Sequence, residues 1–105
     1  MKIIVGIING KDANKVSKKL SLAEFGVTKL SSTGGFLKDG NTTLLVGVED
    51  ERLNDALDII RENSKRRTTL VPPSDISPMI ITSPLEVTIG GATVFIIDVE
   101  QFEKM

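Results

Sequence analysis

The stretch Lys2-Ile3-Ile4-Val5-Gly6-Ile7-Ile8-Asn9 governs the reading of the whole chain. Its β-branched residues run almost without interruption. That is the pattern of a central strand, covered on both faces or by neighbours, rather than a surface strand alternating with polar residues. Asn9–Gly10 breaks the run. The stretch is far shorter than the ~20 residues a membrane-spanning helix needs, and no small-residue cleavage site follows it. The chain is therefore read as soluble and cytoplasmic.

Working outward, Asp12 is placed to cap a helix whose apolar stripe is Val16, Leu20 and Phe25, with Ala13 and Ala23 nearby. Lys15, Lys18 and Lys19 fall on its solvated side, and Gly26 stands where such a helix stops. Val27–Thr33 and Thr42–Val48 read as two strands. Between them lie the breakers Gly34–Gly35 and Asp39–Gly40–Asn41. Arg52–Asn63 is the clearest helix, with Leu53, Ala56, Leu57 and Ile60 at helical spacing and Asp50 placed to cap it. Thr68–Pro84 is rich in Pro, Ser and Thr and reads as a long loop, of the kind that is functional or mobile. Glu86–Ile89, Gly90–Gly91 and Ala92–Val99 read as a terminal β-hairpin about a tight glycine turn. The order strand, helix, strand, strand, helix, strand is the split βαβ arrangement. The expected architecture is α+β: a ferredoxin-like βαββαβ sandwich with an added C-terminal β-hairpin, in one domain spanning residues 1–105.

Composition narrows the function. Of 105 residues, 13 are basic and 14 acidic, a net charge of −1, so the basic excess of proteins that neutralise DNA or RNA backbones is missing. With 0 Cys and 0 His, disulfides, thiol chemistry, Cys/His zinc sites and histidine proton transfer drop out. No acidic run has calcium-loop spacing, and Glu49–Asp50–Glu51 suits a solvated helix entrance. No P-loop lysine motif or carboxylate dyad supports nucleotide chemistry, so a non-enzymatic protein without cofactor or metal is expected.

One constellation suggests a ligand. It runs through Thr28–Lys29, Thr33-Gly34-Gly35-Phe36-Leu37-Lys38 and Gly40-Asn41-Thr42-Thr43. Consecutive glycines let backbone N–H groups converge on an anion, and threonine hydroxyls and lysines add donors and charge. Phe36 can stack on a base, and Asn41 carries the donor–acceptor pair that matches an adenine edge. The same glycines equally suit a plain hairpin turn. Lys65, Arg66 and Arg67 are placed either to reach a phosphate or simply to complement a helix C-terminus.

The run from Val27 to Asp50, VTKLSSTGGFLKDGNTTLLVGVED, resembles the PII-like cyclic-di-AMP receptor proteins of Gram-positive bacteria, the PstA family. Arg61-Glu-Asn63, Ser77-Pro-Met79 and Glu86–Phe95 also look like that family, and the likeness spans the chain. The resemblance implies a homotrimer of ferredoxin-like subunits. It implies cyclic-di-AMP held in clefts between neighbouring subunits, with loops that reorganise on binding and a downstream protein partner that reads them. It implies contacts from Thr28, Gly35, Phe36, Leu37, Asn41, Gly47 and Gly91. Gly47 lies inside a strand, where glycine suits either a close approach or a bulge. The sequence departs from the family at Gly26, where a basic residue is common; a charge-assisted bond lost there is worth ~1.5–3 kcal/mol. A PII-type sensor of ATP or ADP and a structural or partner-docking trimer are the competing readings.

Overall fold

Strand β1 (Lys2–Asn9) is paired along both edges, with β3 (Asn41–Val48) on one side and β6 (Ala92–Asp98) on the other, both antiparallel. Strand β2 (Gly26–Leu30) adds to the far side of β3, giving the order β2-β3-β1-β6. The computed structural model describes residues 1–30, 40–71 and 85–105. The central position read for β1 and the ferredoxin-like α+β class both hold.

Helix α1 (Gly10–Leu22) begins at Asn9, whose side chain accepts the Lys11 N–H at 2.9 Å. Asp12 is not the cap. It lies one turn further along, in the buried stripe with Ala13, Val16 and Leu20. There it accepts two bonds from the Arg67 guanidinium, at 2.9 and 3.1 Å. These bonds push the Arg67 pKa further up. The helix also ends before Gly26. Glu24 takes the left-handed conformation at φ 67°, its N–H bonded to the Ser21 carbonyl and the Phe25 N–H to that of Leu20. This is the double-bonded helix terminus, closed by the apolar contact of buried Phe25 with the core. Gly26 instead opens β2.

Helix α2 (Leu53–Asn63) follows a short 3-10 turn over Asp50–Arg52. Asp50 does not cap it. Its carboxylate meets the Met1 ammonium at 3.0 Å and Lys2 at 3.8 Å, which holds it below the usual carboxylate range. Arg52 fastens the two helices: it donates to the Ala23 carbonyl at 2.8 Å and lies 4.0 Å over the Phe25 ring. Both helices cover one face of the sheet, burying Ile4, Ile8, Leu44, Val46 and Val48 against Val16, Leu20, Ala56 and Ile60. The other sheet face carries Ile3, Val5, Ile7 and Leu45, only partly buried, with Phe95 48% and Ile97 52% exposed.

The expected terminal hairpin does not form. β5 (Leu85–Ile89) pairs with β4 (Arg67–Val71) in a separate two-stranded ribbon, while β6 pairs with β1. The added hairpin is therefore β4–β5, inserted between α2 and β6, and Gly90–Gly91 links the two sheets. Strand β4 also occupies the start of what reads as a loop. The physical reason lies in β1: its second edge needs a partner, and Val94 and Ile96 sit opposite Gly6 and Ile4 on the helix side.

Two outcomes follow. Left-handed backbone costs a non-glycine residue about 1–2 kcal/mol, and glycine forfeits about 0.5–1 kcal/mol through its freer unfolded chain. Glu24→Gly should therefore stabilise the protein by about 0.5–1 kcal/mol in thermal or urea melts, and no change or a loss would contradict the assigned terminus. Because its folded-state pKa is depressed, Asp50 contributes stability above the unfolded carboxylate value, lost as pH falls through the folded one. Asp50→Asn should thus lower stability slightly at neutral pH and flatten the acid limb of melting temperature against pH.

Candidate ligand site

Gly26 and Gly47 are register partners across β2 and β3, and Thr28 sits opposite Leu45 two residues along. With no side chains at the glycine pair, a cavity of about 530 Å³ opens on the sheet face away from the helices. Ile3, Leu45, Val99 and Phe102 give it apolar walls, and Thr28 gives it a hydroxyl. Phe102 stands at its edge, 64% exposed. The Gly47 backbone is regular, paired on both sides without a bulge. A Cβ there would touch only the Met1 Cε at 3.4 Å, and one on Gly26 would meet nothing within 4 Å. At neither position does the fold of this chain itself require glycine.

Asn41 and Gly91 meet elsewhere. They line a smaller polar cleft of about 150 Å³ with Asn9, Gly90, Thr93 and Arg66. Asn41 is the first residue of β3 and pairs in register with Asn9 at the end of β1. The Gly10 N–H donates to the Gly40 carbonyl at 2.5 Å, fixing the entry to β3 against the start of α1. On the other wall, Gly90 and Gly91 both have positive φ, 85° and 84°. A Cβ on Gly90 would lie 2.5 Å from the Lys65 carbonyl oxygen, so only glycine fits that crossing. The Gly91 N–H is held by the Ser64 carbonyl at 2.5 Å.

The seven residues expected from the sequence thus fall into groups. Thr28 and Gly47 share the first cavity, and Asn41 and Gly91 share the second. The two lie at opposite ends of β3, roughly 20 Å apart at the rise of a strand. Gly35, Phe36 and Leu37 lie outside the described residues. Lys29 does not join Thr28: on the opposite sheet face, it donates to the Asn14 side chain at 2.7 Å. Of Lys65, Arg66 and Arg67, Arg66 lines the Asn41 cleft, while Arg67 is committed to Asp12. Sequence reasoning missed Met1, Val99 and Phe102, which come from the chain ends. Phe102, a lone aromatic among charged residues, was the available signal.

Between them the two cavities offer a carboxamide, a guanidinium, a hydroxyl, bare backbone at glycines and apolar walls, groups suited to recognition. Among the described residues, no group of three or more Asp or Glu is placed to hold a metal ion, and no helix is long and apolar enough to cross a membrane.

The chain is similar to a protein of unknown function from Pediococcus pentosaceus ATCC 25745, whose crystal structure superposes with a TM-score of 0.79. The two share 39% identity over 99% of this chain and 96% of that one. The family model described as cyclic-di-AMP receptor matches residues 1–105, the whole length of the sequence. With a match over every residue, the chain belongs to the cyclic-di-AMP receptor family.

Proposed function

We propose that this chain is a PII-like signal-transduction protein that binds cyclic-di-AMP in clefts between the subunits of a homotrimer and leaves it unchanged. Family membership supports the ligand. The observation that carries the arrangement is the division of the site. Thr28 and Gly47 line one cavity, Asn41 and Gly91 another, at opposite ends of one strand. Each is half a site. Around a symmetry axis, the first half of one subunit meets the second half of its neighbour.

The partly uncovered sheet face supports association. Ile3, Val5 and Leu45 are only partly buried there, and Phe95 and Ile97 stand about half exposed. Burying them between copies yields about 25 cal/mol per Å² of apolar surface. In the assembled cleft, Asn41 reads an adenine edge, Arg66 faces a phosphate and Gly91 lets the backbone approach. Thr28 offers its hydroxyl, and Gly47 leaves room for the base. Gly35, Phe36 and Leu37 complete the set of contacts, and loop reorganisation relays occupancy to a cytoplasmic partner. A sensor of ATP or ADP is the second reading. It is kept open by Gly26, which stands where the family commonly has a basic residue.

Isothermal calorimetry with cyclic-di-AMP, run against ATP and ADP, decides between them. Micromolar or tighter binding at one ligand per subunit, not displaced by ATP, is expected, with intact ligand recovered afterwards. A flat trace from folded trimer, or preference for ATP, contradicts the proposal. Gly47→Val should weaken binding by at least tenfold, about 1.4 kcal/mol, while leaving the melting temperature nearly unchanged. Asn41→Ala should cost about 1–3 kcal/mol of affinity.

A further inference from the structure

On the helix side of the sheet, the outer flank of β6 is uncovered. Ile96 sits opposite buried Ile4 and so points under the helices, yet it is 46% exposed. Between it and α2 lies an open groove of about 670 Å³. Leu57 and Ile60 of α2 and Val94 and Ile96 of β6 form an apolar floor. Arg61, Lys65 and Arg66 line one rim. Arg61 is shared with Asp58 at 2.7 Å, and among the described residues neither Lys65 nor Arg66 has a carboxylate partner. Among the same residues, β6 pairs only with β1, so the backbone groups along its outer edge are open.

These features select an occupant. Unpaired strand N–H and C=O groups are matched by another extended chain; a lipid or a metabolite does not carry that alternating row. Side chains of an added strand alternate, so every second one enters the apolar floor. The rim asks for carboxylates. The free edge strand of a second copy is β2, Gly26-Val27-Thr28-Lys29-Leu30, which brings a lysine and no carboxylate. The acidic tail of a second copy is already engaged, because Val99 and Phe102 line the Thr28 cavity of their own chain. The groove also lies on the opposite side of the sheet from the apolar face assigned to trimer assembly.

We propose that this groove docks an extended acidic segment of a partner protein, added as a strand along β6 with apolar anchors beside Ile60 and Ile96. Arg66, Gly91 and Ala92 line both this groove and the Asn41 cleft, on opposite sides of one strand end. Ligand that orders Arg66 in the cleft therefore alters the groove rim. This coupling, unlike the docking, rests on the cyclic-di-AMP reading above.

The test uses the full chain and a capped, fluorescein-labelled peptide of alternating isoleucine and glutamate, followed by anisotropy without nucleotide. Saturable binding is expected. It should fall at least tenfold when lysine replaces glutamate in the peptide, and when alternate peptide amides are N-methylated. Lys65→Glu and Ile96→Lys should each weaken it similarly, with melting temperature confirming the fold. Equal binding of the acidic and basic peptides, indifference to N-methylation, or no effect of Lys65→Glu overturns the docking. So does loss of the oligomer in Ile96→Lys by light scattering, which assigns the groove to a second copy. Repeating the titration with cyclic-di-AMP bound, as verified by calorimetry, should shift peptide affinity several-fold. No shift overturns the coupling while the docking stands.

Discussion

The double pairing of β1 is the constraint on which the remaining structure depends. An apolar strand with ladders on both edges fixes the register of β3 from Asn41 to Val48 and of β6 from Ala92 to Asp98. Because side chains alternate, it also fixes which faces are dry. Ile4 and Ile8 go under the helices, and Ile3, Val5 and Ile7 go to the other face. Placing β3 against β1 puts Gly47 at one end of the sheet and Asn41 at the other. Drawing β6 to the second edge pulls Gly90–Gly91 away from a hairpin and across the exit of α2, where Gly91 meets Asn41. The two candidate half-sites are consequences of strand register.

What was legible in the sequence is what local pattern controls. The β-branched run of β1, the Leu53–Ile60 stripe of α2 and the strand over Thr42–Val48 carry their own periodicity, and each forms where expected. The differences arise from partners distant in sequence. Asp12 looks like a cap because acids favour helix starts. Its burial is paid for by Arg67, fifty-five positions away. Gly26 looks like a helix stop, yet Glu24 takes the left-handed position because burying Phe25 against the core outweighs the backbone cost. Thr68–Val71 is read as loop because its partner strand lies beyond a stretch rich in Pro and Ser. Glycine pairs signal a turn, but not which two strands they join.

The candidate site follows the same logic. Thr28, Asn41, Gly47 and Gly91 were named from resemblance and chemistry. Their division into two cavities was not, since it depends on the distance along β3. Arg66 was ambiguous among three consecutive basic residues until Arg67 proved committed to Asp12. Met1, Val99 and Phe102 join the Thr28 cavity through contact of the two chain ends, the Val99 N–H bonding to the Met1 carbonyl at 3.2 Å. Gly26 and Gly47 face each other across β2 and β3, where a Cβ would meet little of the described chain.

The central claim is that one ligand cleft is built from two different subunits, and subunit mixing tests it most directly. Gly47→Val spoils one half-site and Asn41→Ala the other, so neither variant alone should bind cyclic-di-AMP well. When the two are unfolded together and reassembled into mixed trimers, about one quarter of the clefts should combine an intact half from each chain. The account predicts that calorimetry recovers wild-type affinity at about that fraction of sites. If mixed trimers bind no better than the separate variants, the site lies within a single chain and the shared cleft is wrong.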